Sequence, residues 1–210
     1  MKIKDPISGF SHLIGALLAI FGLVILLINS KSLIETISFL IFGLTIIILY
    51  TASAIYHLFG KPAEEIGLLR KLDHASIYLL IAGTFAPFCL VLIKGILGWS
   101  VFISVCALAI AGFSTSFIKS LWKLPRWLLT SFYMFMGLIG VALIYPLRTH
   151  PGIITWLAIG GAFYLIGAVI YIIKKPNISK LFGFHELFHL FILGGTLSHF
   201  FCVYKFIALG

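Results

Sequence analysis

Residues 10–28 read FSHLIGALLAIFGLVILLI, a run in which His12 is the only ionisable side chain. A helix rises about 1.5 Å per residue, and the hydrocarbon core of a bilayer takes about 20 apolar residues. The run therefore has the length of a membrane span. It is too long for the apolar region of a signal peptide, and no small-residue cleavage site follows it. It is read as the first span of the chain.

The pattern repeats. Seven continuous apolar runs occupy approximately 10–29, 34–58, 72–93, 97–118, 128–147, 153–173 and 184–206. Of the 210 residues, 61% are hydrophobic and 10% charged, whereas a soluble domain carries roughly 25% charged residues. So few charges cannot cover a water-soluble globule of this size. The breaks carry turn and charge signals: Asn29-Ser30-Lys31, Lys61-Pro62, Lys94-Gly95, Lys123-Leu124-Pro125-Arg126, Arg148 to Gly152, and Lys174-Lys175-Pro176-Asn177. Trp99, Trp122, Trp127 and Trp156 stand near run ends, where amphipathic rings prefer the headgroup level. Barrel strands alternate polar and apolar residues; these runs do not. The expectation is an all-α membrane protein, a seven-transmembrane helix bundle forming one domain over 1–210, with no room for a second.

Lys and Arg set the orientation. Lys2, Lys4, Lys61, Arg70, Lys71, Lys119, Lys123, Arg126, Lys174, Lys175 and Lys180 fall on the side of the N-terminus. Only Lys31, Lys94, Arg148 and Lys205 fall on the other. The positive-inside bias places the N-terminus in the cytoplasm and the C-terminus outside, so Asn177-Ile178-Ser179 is not a glycosylation site. The net charge of +9 is spent at span ends, which argues against a nucleic-acid partner. Cys89, Cys106 and Cys202 lie inside apolar runs without C-x-x-C spacing and read as small buried hydrophobes.

Ionisable groups near lipid are costly and point to function. The alternation of spans brings Ser53, Tyr56 and His57 at the end of span two, Asp73 and His74 at the start of span three, and His185, Glu186 and His189 at the start of span seven to one cytoplasmic depth. His185 and His189 are four residues apart and share a helix face. Two such imidazoles with His57 make a three-histidine set for Zn²⁺, leaving a fourth position for water or substrate. The competing reading, hydrogen-bonded core histidines, leaves the convergence unexplained. Asp73 is placed to bond the metal's water or orient an imidazole, and Ser53, one turn before His57, to bond the ligand or substrate. His185-Glu186-Leu187-Phe188-His189 also fits H-E-x-x-H, in which the glutamate is a general base; its alternative role is a carboxylate suited to the helix start.

The other histidines read differently. His199 lies about 15 Å deeper than His189 and is expected to bond another helix. His12, near the cytoplasmic start of span one, is within reach of the cluster but is expected to cap or pack; His74 is a substitute ligand, and His150 is solvated. Gly112, Gly160-Gly161 and Gly194-Gly195 permit close helix approach; Pro87 is expected to kink span three. The phenylalanines face lipid and neighbouring helices.

Four segments carry a resemblance: Thr51 to His57 (TASAIYH), Lys71 to Tyr78 (KLDHASIY), Ile81 to Phe88 (IAGTFAPF) and Gly183 to His189 (GFHELFH). Together they resemble the bacterial hemolysin III family, related to the progestin and adipoQ receptors and more remotely to the alkaline ceramidases. The resemblance covers essentially the whole chain. It implies zinc held by His57, His185 and His189, with Asp73 holding the zinc-bound water and Ser53 nearby; the position of His199 is not a ligand in the relatives. The receptors' long N-terminal cytoplasmic domain is absent, so hormone signalling is not implied. The expected function is that of a zinc-dependent hydrolase of lipid amide or ester bonds, with membrane lipids as partners, in the bacterial plasma membrane. The alternatives are a membrane-acting, pore-forming toxin and a lipid sensor whose zinc is structural.

Overall fold

The computed structural model describes residues 4–60, 66–179 and 181–210. Lys2, Lys61 and Lys180 of the charge count, and the Lys61-Pro62 turn, lie outside the described residues. Seven helices long and apolar enough to cross a membrane run in order, and no strand occurs among the described residues. They are α1 (Pro6–Ile28), α2 (Leu33–Phe59), α3 (Leu68–Ala86), α4 (Gly95–Thr115), α5 (Arg126–Leu138), α6 (Pro151–Ile173) and α7 (Phe184–Val203). This is a multi-pass membrane protein.

Local chemistry sets the ends. Pro6 and Pro151 open α1 and α6, where the missing N–H costs nothing and φ is already helical. Ser32 caps α2 by accepting the Glu35 N–H at 3.3 Å. Pro87 removes one N–H from span three, which continues through a wider π-type turn, Pro87–Ile93. Span three begins at Leu68, four residues before its apolar run, because a helix can extend its charged first turn (Arg70, Lys71) into interfacial water. Span four stops at Thr115 rather than 118. There the Thr115 and Ser116 hydroxyls donate to the Gly112 carbonyl at 2.6 and 3.3 Å. Span five tightens to a 3₁₀ turn and ends at Leu143, short of 147, because Pro146 disfavours helix in the residue before it.

Packing is inverted relative to a soluble bundle. On α1 the buried face carries Ser8, Gly9, His12, Gly15, Ala16 and Gly22, whereas Leu17, Leu18 and Phe21 are exposed. Lipid is as apolar as leucine, so helices associate through close packing of small residues and interhelical hydrogen bonds. A Cβ on Gly15 would meet Leu193 of α7 at 2.6 Å and Tyr50 of α2 at 3.2 Å. α1 therefore nests between α2 and α7. The main contacts run α1–α2–α3, α3–α5–α6–α7 and α7–α1, closing a ring of six helices; α4 packs on α3.

Candidate metal centre

The last turns of α2 and the first turns of α1, α3 and α7 meet at one end of this ring. His57 and His189 are 2% and 3% exposed, and His185 is half-buried. The His185 and His189 Nε2 atoms are 3.2 Å apart. The His57 ring lies 5.0 Å from His185 and 4.7 Å from His189, centroid to centroid. One ring nitrogen from each of the three lies within 4.8 Å of the others. Tetrahedral Zn–N bonds of about 2.0–2.1 Å place ligand nitrogens about 3.3 Å apart. The α7 pair meets that spacing, and His57 offers a nitrogen within 4.8 Å of both. The His57 Nε2 and His189 Nδ1 atoms are buried with no hydrogen-bond partner among the described residues. An unpaired buried polar atom costs about 1–3 kcal/mol, and coordination through Nε2 would relieve that cost at His57. The cluster can hold a metal ion, and the donor set fits zinc.

Ser53 is buried one turn before His57 and faces the same space. That space is a cavity of about 470 Å³. His12, Ser53, Asp73, His185 and His189 line it at the metal end; Leu49, Ile77, Phe85, Met134, Leu138 and Ile192 are among its aliphatic and aromatic walls. It reaches His199, fourteen residues and about 21 Å along α7 from His185. Every helix of the ring contributes to the lining, and α4 does not. Asp73 thus shares a chamber with His185 and His189, half-buried at the start of α3.

Glu186 is turned elsewhere. Its Oε2 accepts the Gly183 N–H at 2.8 Å, capping α7, and its Oε1 accepts the Ser8 hydroxyl at 3.5 Å. It is not among the residues lining the cavity. The His74 ring meets the Trp122 edge at 4.9 Å. His199 donates from Nε2 to the Leu157 carbonyl at 3.3 Å, the interhelical bond expected of it, and His150 is exposed beside Thr149.

Asp5 escaped the sequence reading, whereas His12 packs, one of the two roles expected of it. His12 is no cap: its ring lies 4.0 Å from His189 and 4.8 Å from Tyr50, and both its nitrogens are unpartnered among the described residues. Asp5 accepts from His57 Nδ1 at 3.0 Å. That bond, helped by the charge of Lys4, holds the Asp5 carboxyl below the usual carboxylate range against the opposing effect of partial burial. His12 sits at i+4 from Ser8, a spacing that signals only a shared face; nothing local ties Asp5 to α2. From Tyr50 a polar junction continues inward, Tyr50 donating to Thr196 Oγ1 at 2.7 Å and Tyr164 meeting it at 2.9 Å.

Fold and site define a class: seven-helix membrane proteins with a buried three-histidine cluster opening on an apolar chamber. The family model described as haemolysin-III related matches residues 1–200, and the chain belongs to that family. It is 35% identical to Hemolysin-3 of Bacillus cereus, over 96% of this chain and 91% of that one. It is 37% identical to the Hemolysin-3 homolog of Bacillus subtilis (strain 168), over 96% and 93%. An adiponectin receptor protein of Drosophila melanogaster is 27% identical over 91% of this chain and 48% of its own length.

Proposed function

We propose that this protein is a zinc-dependent hydrolase of lipid amide or ester bonds, resident in the bacterial plasma membrane with its N-terminus in the cytoplasm. The observation that carries this reading is the histidine cluster at the end of a long, mainly apolar chamber. Pockets that hold lipids and drug-sized ligands span about 300–1,000 Å³, with a few convergent polar groups. An acyl chain lying along α7 would bring its carbonyl end to His185 and His189. Zinc there would supply Lewis acidity and a nucleophile at neutral pH.

The chain's own residues do the rest. His57, His185 and His189 would hold the ion. Asp73, which lines the same chamber, would take a proton from an attacking water and return it to the leaving group. Ser53 is placed to donate a hydrogen bond to the substrate carbonyl from α2. Glu186, bound to Gly183 and Ser8, orients the first turn of α7 rather than handling a proton. The aliphatic walls exclude bulk water and select for alkyl substrates.

Protein purified in detergent should carry one zinc per chain, and the His185→Ala/His189→Ala double variant none; zinc retained in that variant would sink the site assignment. Asp73→Asn should keep the zinc and lose lipid turnover by at least about 10²-fold, the usual scale for a positioned acid–base group. Comparing the lipid content of membranes holding the wild type or Asp73→Asn identifies the substrate, and identical lipid profiles would end the hydrolase reading. The names of the two Bacillus relatives favour a second reading, membrane lysis. Leakage of dye from vesicles on addition of the protein, unchanged in Asp73→Asn, would select it.

A further inference from the structure

We propose that Asp5 is a positioning residue of the metal site, its carboxylate fixing the His57 ring so that Nε2 is the nitrogen offered to the ion. The inference rests on the reading of the three histidines as a metal site. Asp5 directly precedes Pro6 at the start of α1. An aspartate there ordinarily accepts from the helix's own first N–H groups. Here it makes no such bond. Its Oδ2 lies 3.0 Å from His57 Nδ1 instead, 52 residues away in the chain.

The backbone fixes this geometry independently. The Asp5 N–H donates to the His57 carbonyl at 2.9 Å, so one residue grips His57 by amide and carboxylate together. The Lys4 ammonium sits 3.6 Å from the Tyr56 ring centroid and 3.6 Å from Asp5 Oδ2. These contacts lock the register of the segment against the end of α2.

The Asp5 contact also sets the tautomer. A carboxylate only accepts, so the proton between Asp5 and His57 is carried on Nδ1. Were Nε2 also protonated, the ring would bury an N–H with no acceptor among the described residues, since that atom has no partner there. With the proton on Nδ1, Nε2 is the nitrogen left free for an ion, and it is buried with no partner among the described residues. Carboxylate–histidine–metal arrays of this kind orient the ligand and raise its basicity, and losing the carboxylate typically costs about 10–100-fold in metal affinity.

The test is a zinc titration of the purified, metal-stripped protein in detergent against a chromophoric chelator, with the Co²⁺ visible spectrum as a second readout. Asp5→Ala should weaken zinc binding about 10–100-fold. Asp5→Asn should lose less, because the amide oxygen still accepts from Nδ1, while shifting the Co²⁺ bands. Lys4→Met, which removes the charge beside Asp5 but leaves the carboxylate on His57 Nδ1, should weaken zinc binding less than Asp5→Ala does. Asp5→Asn is isosteric, so it carries the test should Asp5→Ala not fold; melting of the metal-free forms makes that check. Zinc binding by both Asp5 variants within twofold of wild type, with His57→Ala losing the metal, would overturn this inference alone. An equal loss in Lys4→Met would also overturn it, reducing the segment to a mechanical strap. A wild type without zinc affinity would overturn the inference and the metal reading together.

Discussion

His185 and His189 meet because residues four apart stack on one helix face, and their Nε2 atoms stand 3.2 Å apart. That much is set by spacing. His57 joins them from α2 because spans two and seven present opposite ends of the chain direction at the same depth. Glu186 shares the H-E-x-x-H spacing yet lies about 100° around the helix from His185, and its carboxylate closes the N-terminus of α7. Glu186→Ala should therefore lower stability by about 0.5–2 kcal/mol, the range for a lost N-terminal cap, while zinc content stays at the wild-type level. Thermal unfolding with metal analysis checks both. Turnover lost with stability intact would return Glu186 to the chemistry. His12→Phe keeps a ring against Tyr50 and His189 but removes both nitrogens; zinc stoichiometry should hold, and its loss would make His12 a ligand.

The helices divide into those that pack through small residues and those that leave a gap. Gly160 and Gly161 are adjacent on α6 and have opposite surroundings. A Cβ on Gly160 would collide with the His199 ring, whereas one on Gly161 meets nothing within 4 Å. Gly161 lines the chamber, as do Gly137 and Gly140 of span five. Gly160→Leu should destabilise by about 1–3 kcal/mol through overpacking, read as a lower melting temperature in detergent. Gly161→Leu should melt like the wild type while binding a fluorescent fatty-acyl probe more weakly; unaltered probe binding would place the ligand outside this chamber. Thr196 joins Tyr50 of α2 to Tyr164 of α6. Membrane hydrogen bonds of this kind contribute about 0.6–2 kcal/mol, so Thr196→Val should lower the melting temperature without changing metal content.

The whole molecule is a ring of six helices around a chamber, with α4 outside it. The basic residues fall toward one end, and the proposed orientation puts that end in the cytoplasm. In a variant lacking Cys89, Cys106 and Cys202, a cysteine at Ser30 should react with an impermeant maleimide added to intact cells, and one at Asn177 should not; the reverse pattern would invert the topology. Seven spans and the depth of the histidines were legible from sequence alone, because hydrocarbon demands long apolar helices that satisfy their own backbone, and alternating spans fix which ends coincide. The convergence of the three histidines, Ser53 and Asp73 at one end of the bundle was legible for the same reason. The collision of Gly160 against the openness of Gly161, the exclusion of α4, the turn of Glu186 away from the chamber, and the arrival of Asp5 were decided only by tertiary structure. Helices apolar on every face carry little amphipathic signal to say which side faces inward. Their rotation about their own axes is set by contacts between helices distant in the chain, and those contacts carry Asp5 to His57.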